Sequence, residues 1–258
     1  DNGSDAKIIR AEARHRLKNK YGIKVFAAPD SLSNWLKDQD IALDDVADLI
    51  VHAGKTIELS STLGDEVQVF VHAPFSDDSE EVQDKNDPSI VLQVRVLNND
   101  RETNLLITGD TPYRVLDKIV DMSQANENEE YLNWDVYDVP HHCSYTGQNE
   151  KGEKDVRIIT PTENIQWLLQ RSGAGAYLVA SCEKVTEETS PPHMCAKRAY
   201  EKYSADDAEF LVTMEHIPAK TRKPTPICFE IDSMGLTLKG NRKKQIYFSK
   251  SAPRAGLQ

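Results

Sequence analysis

Leu105-Leu106-Ile107-Thr108-Gly109-Asp110-Thr111 and, further on, Val139-Pro140-His141-His142-Cys143-Ser144 decide how this chain is read. Each is an apolar strand that stops at a polar cluster. Leu105 to Thr108 can be buried, and Gly109 lets the chain turn without a Cβ clash. The Asp110 carboxylate is thereby delivered to the strand's C-terminal edge. Asp135 to Val139 alternates in polarity and ends at Pro140, which excludes further ladder pairing. It delivers His141 and His142 to an edge of the same kind. A carboxylate and imidazoles at the mouths of neighbouring strands are donors that a hard or borderline divalent metal accepts. Each cluster also has a plainer reading. Gly-Asp after a strand is a common turn, and a strand-end histidine can simply pair with a backbone carbonyl. Together, with one helical stretch between them, the two clusters favour a metal site.

Outward from these motifs, the pattern predicts layers. Pro112 opens a helix to Met122 that carries Val115, Leu116, Ile119 and Val120. Ser89–Leu97 and Asn104–Thr108 read as a hairpin, and Val67–Val71 as a strand before it. Thr162–Gln170 and Met194–Tyr203 read as helices. Ala176–Ala180, Glu209–Thr213, Pro226–Ile231 and Leu236–Leu238 read as strands. Strands that alternate with helices but include hairpins predict an α/β fold of mixed sheets covered by helices.

Residues 1–63 read as a helical N-terminal segment or linker. Its first helix, Ala6–Lys20, has a thin apolar stripe of Ile8, Ile9 and Leu17. Asp30 or Ser31 caps a short helix through Trp35 and Leu36, and Leu43–Val51 is an acidic amphipathic turn or helix. Residues 64–249 form the main unit and 250–258 a loose tail. Ser76–Pro88 and Gly147–Asp155 are polar loops.

The chain has 258 residues, 39% hydrophobic and 28% charged, which reads as soluble and globular. Its formal net charge of -11 argues against a broad basic surface that grips nucleic acid. It leaves a nuclease open, because a bound metal supplies positive charge locally. Cys143, Cys182, Cys195 and Cys228 form no C-x-x-C pair, so they read as reduced thiols of a cytoplasmic protein. No apolar run approaches a membrane span and no secretory signal is visible. There is no G-x-S-x-G, P-loop or dinucleotide fingerprint.

Three further residues join the candidates. Ser144 follows the histidines, where a hydroxyl and backbone N–H groups can hold a phosphate oxygen; its plainer role is to cap the next turn. His193, behind Ser190-Pro191-Pro192, sits at the N-terminus of the Met194–Tyr203 helix and can meet an anion there, or is an ordinary N-terminal histidine. His72, on the strand before Pro74, reads as structural.

Asn86-Asp87-Pro88-Ser89-Ile90-Val91-Leu92, Leu105 to Asp110 and Val139 to Ser144 together resemble the metallo-β-lactamase superfamily. The branch is the one that contains the hydrolase domain of the DNA-uptake competence protein, with N-x-x-S-L-V-L, L-L-T-G-D and P-H-H-G-S. His193 and Phe210-Leu211-Val212-Thr213 match that branch's downstream histidine and terminal strand, so the resemblance runs from Val67 to Ile231. It implies an αβ/βα sandwich with one or two zinc or manganese ions at the strand edges. Asp110 then resembles the bridging carboxylate and His142 the late histidine ligand. His141 stands behind the metal or faces substrate, with Ser144 and His193 on the phosphate. Cys143 replaces the usual glycine and adds a thiol near the metal.

The family's main ligand string, H-x-H-x-D-H, is absent from this chain. The resemblance therefore implies the C-terminal half of a sandwich. The other half would be upstream sequence, a cleavage product or a separate polypeptide, or the chain is a degenerate member that binds no metal. The start at Asp1 rather than Met favours a missing half. That half would cover a face carrying Leu92, Val94, Leu106 and Val179. The expected activity is metal-dependent hydrolysis of a phosphodiester, most simply in a nucleic acid. The alternatives are a hydrolase of a small ester, lactone or phosphate, and a non-catalytic regulatory or interaction subunit.

Overall fold

The computed structural model describes residues 3–26, 30–57, 67–75, 85–150, 155–218 and 222–239. The expected tail at 250–258 and most of the two polar loops lie outside the described residues.

A seven-stranded mixed sheet forms the centre, in the order β3–β4–β5–β6–β7–β8–β9. The strands are β3 (Lys55–Ile57), β4 (Val67–Ala73), β5 (Val91–Asn98), β6 (Arg101–Ile107), β7 (Trp134–Asp138), β8 (Ser172–Ala180) and β9 (Glu209–Val212). The first four pair antiparallel and the last four parallel, so β6 belongs to both systems. The β5–β6 hairpin turns on Asn99 and Asp100 at φ 48° and 63°. Two consecutive left-handed residues match the twist of a tight hairpin, and Asn and Asp tolerate that region best after glycine.

Each parallel step needs a crossover. These are α3 (Tyr113–Ala125), α4 (Glu163–Leu169) and α5 (Met194–Tyr203). Pro112 and Thr162 precede α3 and α4; the Thr162 hydroxyl accepts the amide of Ile165 and so caps α4. Cross-strand register puts Leu106, Tyr137, Leu178 and Phe210 on one face of the sheet. Leu116, Ile119, Leu168, Ala199 and Tyr200 from the helices join that face in one buried core.

The opposite face carries Val94, Leu105, Val136 and Tyr177. A small hairpin, β10 (Phe229–Asp232) and β11 (Gly235–Leu238), covers part of it, with the Phe229 ring 5.0 Å from that of Tyr177. Leu92, Val94 and Val179 stay half-buried, and Ile107 is 37% exposed. Leu106 departs from expectation. It is 0% exposed on the helix-covered face rather than awaiting a partner. A strand that is apolar at three successive residues does not announce which parity faces the helices.

The N-terminal segment holds α1 (Ser4–Lys18), β1 (Val25–Phe26), α2 (Asp30–Asp38) and β2 (Ile50–Val51). Leu17, Leu36 and Val46 form its own small core, and β1 pairs parallel with β2. Of the three apolar residues read on α1, only Leu17 is buried, while Ile8 and Ile9 are 67% and 70% exposed. β3 lies within the segment read as a linker, yet it forms the edge of the main sheet. The sheet therefore begins before residue 64. Among the described residues no helix is long and apolar enough to cross a membrane.

His72 on β4 is buried at 4% exposure, with Nε2 3.0 Å from the Tyr131 carbonyl. Burial lowers its pKa from 6.5 to about 4, against the hydrogen bond to Tyr131, which raises it. The unfolded chain thus takes up a proton near pH 6.5 that the folded chain refuses until about pH 4. Stability from this group is complete above pH 6.5 and falls as pH drops toward 4, by about 3 kcal/mol in all. Urea unfolding between pH 7 and 4 should show this slope. His72→Gln, which keeps a donor for Tyr131, should flatten it.

Candidate functional site

β6, β7 and β8 run parallel, so their C-terminal ends open on one edge of the sheet, where open α/β sheets place their ligands. Three loops meet there. The first leaves β6 through Thr108, Gly109 and Asp110. Thr108 is fully buried and its hydroxyl donates to the Asp138 carbonyl at 2.5 Å. Gly109 turns the chain as expected, with φ +58° in the left-handed region. The second loop leaves β7 at His141, whose amide donates to the Gly109 carbonyl at 2.9 Å and ties the two loops together.

Asp110 and His142 are brought together. His142 Nε2 lies 3.4 Å from Asp110 Oδ1, and the two side chains are 54% and 45% exposed. His142 Nδ1 lies 2.7 Å from the Ser181 carbonyl in the third loop, which follows β8. A carbonyl can only accept, so Nδ1 carries a proton, and Nε2 is the ring nitrogen turned toward Asp110. Facing a carboxylate, that nitrogen is placed where it and Asp110 can hold a cation between them. Metal-bound histidines generally donate their other ring N–H in this way.

His141, His142 and Cys143 hold φ of 51°, 54° and 63° in succession. For residues with a Cβ the left-handed region costs roughly 1–2 kcal/mol each. Strain of this kind persists where surrounding structure over-determines it, and it concentrates at functional sites. The bonds that fix it are on hand. Ser144 N–H donates to the His141 carbonyl at 2.9 Å, and His193 N–H to the Cys143 carbonyl at 3.0 Å. His141 Nδ1 lies 3.1 Å from the Thr146 hydroxyl, itself 2.9 Å from that of Ser144.

Ser144 and His193 stand behind this loop. Ser144 is 4% exposed and its hydroxyl accepts the Thr146 amide at 3.3 Å, the capping role. His193 is 9% exposed, with Nε2 3.0 Å from the Ser190 hydroxyl and its ring edge-on to Tyr145. It lines a cleft of about 620 Å³ with Arg157, Ser190 and Arg198; Asp110 and His142 are not among that cleft's described lining residues. Cys143 is fully buried, its Sγ 3.9 Å from the His193 carbonyl. Burial pushes its thiol far above the usual range, so it is a neutral core group.

Asp138 and Ser181 also belong to this edge and were not singled out from sequence. Asp138 Oδ2 accepts the amides of Gly109 at 3.2 Å and Thr108 at 3.4 Å. Burial pushes its carboxyl above the usual value, opposed by those two amides and by His142. In an alternating strand such an aspartate reads as one more solvent-facing residue. Ser181 acts through its carbonyl, which no side-chain pattern reports.

Asp110 and His142 are donors of the types zinc and manganese take, and Nε2 of His142 is turned toward the carboxylate. They fit a metal as part of a ligand set: among the described residues no group of three or more His, Cys, Asp or Glu could hold an ion. No family model, curated protein or solved structure matches the chain.

Proposed function

We propose that this chain is the C-terminal part of a metal-dependent hydrolase of phosphodiesters, a nuclease, completed by a polypeptide that carries H-x-H-x-D-H. The observation that supports this reading best is the pairing of Asp110 with a His142 whose Nδ1 is already engaged by Ser181. Asp110 and His142 would hold a zinc or manganese ion. Bound there, the metal would polarise a phosphoryl oxygen and acidify a water. His142 keeps its proton on Nδ1, so Nε2 remains a donor of electrons. His141, anchored through Nδ1, leaves Nε2 for a phosphate oxygen. Ser144 and His193 serve the phosphate through the loop that they brace. The half-open sheet face around Leu92, Val94 and Ile107 offers apolar surface to the completing half.

The incomplete donor set favours one second reading, a regulatory or interaction subunit without catalysis. Metal titration separates the two. Alone, the chain should bind Zn²⁺ or Mn²⁺ weakly and hydrolyse no phosphodiester. Co-expressed with a polypeptide that carries H-x-H-x-D-H, it should gain tight metal and manganese- or zinc-dependent cleavage of nucleic acid together. In that complex His142→Ala should lower metal content more than His141→Ala; the reverse order moves the ligand to His141. A chain that binds metal tightly and turns over by itself overturns the two-part architecture. A complex without metal leaves the subunit reading.

A further inference from the structure

Asp110 follows β6 and His142 follows β7, so the joint between these two strands carries both residues. That joint is short. Its parallel ladder consists of Leu105↔Val136 and Leu106↔Tyr137. Past each end of it, a β7 carboxylate reaches across to β6 backbone. Asp135 Oδ2 accepts the Asn104 amide at 2.8 Å. Gly173 on β8 makes room for this, since a Cβ there would sit 2.2 Å from Asp135 Oδ1. At the other end Asp138 Oδ2 accepts the amides of Thr108 and Gly109.

The second carboxylate matters more for the site. Gly109 is the residue with the widest torsional freedom, and it immediately precedes Asp110. Its own backbone preference therefore does not aim the Asp110 carboxylate. What aims it are bonds on either side of Gly109: the N–H held by Asp138 and the carbonyl held by the His141 amide. Asp138 also anchors the start of the loop that carries His142. Its side chain holds the turn before Asp110, and its backbone leads toward His142.

From this we infer that Asp138 is a positioning residue: its carboxylate fixes the Thr108–Gly109 turn so that Asp110 meets His142. The inference rests on the reading of Asp110 and His142 as metal-holding residues, and it deepens that reading.

The test uses ¹⁵N-labelled chain and the variants Asp138→Ala, Asp138→Asn and Asp135→Ala. Asp138→Ala should speed hydrogen exchange of the Gly109 amide by about tenfold or more, a lost charge-assisted hydrogen bond, and leave Leu106 protected. Asp138→Asn keeps an acceptor, so exchange should stay within about threefold of wild type, with the Gly109 proton resonance moved upfield. Asp135→Ala should leave Gly109 unchanged. Mn²⁺ or Zn²⁺ affinity should fall about tenfold in Asp138→Ala and recover in Asp138→Asn, the scale on which supporting bonds act on a metal site. Unchanged Gly109 exchange in Asp138→Ala overturns the inference, even where metal affinity falls. If Asp138→Ala does not fold, an unmoved Gly109 resonance in Asp138→Asn overturns it. If wild type and variants alike bind no metal, the weak site expected of the chain alone is absent, and Gly109 exchange still decides whether Asp138 sets the turn.

Discussion

In the two-part hydrolase proposed above, Asp110→Ala should lose metal-dependent phosphodiester hydrolysis by about 10²–10⁴-fold, the range for removing a group that acts on the reacting centre. The fold should hardly notice. The carboxylate is 45% exposed and meets the ring of His142 at 3.4 Å. Substitutions at such positions generally stay within about 0.5 kcal/mol. Unfolding and hydrolysis measured on one preparation should therefore separate cleanly. Metal content should fall with activity, since the proposed role of the aspartate is to hold the ion. Unchanged hydrolysis in Asp110→Ala removes this residue from the site.

The second large effect concerns the sheet. Leu106→Ala should destabilise the chain by about 2–5 kcal/mol, the cost of emptying a fully buried leucine site. Ile107→Ala, one residue on, should cost about 1 kcal/mol or less, because that side chain is 37% exposed on the other face. Adjacent strand residues point to opposite faces, so the pair reads out which face the helices cover. Denaturant midpoints at constant slope measure both. Equal losses would mean that the second face is as closed as the first.

Much of the fold was legible because its elements keep a clear period. Met194–Tyr203 was read with the bounds that α5 has, since Pro191-Pro192 stop the chain before it and apolar residues recur on one face. The β5–β6 hairpin was legible from two apolar runs around a polar turn. The facing of Leu106 was not, because Leu105-Leu106-Ile107 carries no alternation. β3 escaped because Lys55-Thr56-Ile57 is too short to show a pattern and belongs to the sheet only through β4.

At the site, strand ends betrayed Asp110, His141 and His142. Their meeting across three loops depends on Ser181 and Gly109 carbonyls, which sequence does not display. Asp138 was hidden for a related reason. Its partners are backbone amides of the loop that follows β6, and only the parallel pairing of β6 with β7 brings them near.

The left-handed run at His141, His142 and Cys143 narrows the amino acids these positions can accept, independently of chemistry. Valine, isoleucine and threonine are nearly shut out by their branched Cβ, while glycine and asparagine enter with little penalty. Drift at these three positions is thus channelled by torsion angles. A histidine retained there need not signify catalysis, and a glycine gained there need not signify its loss.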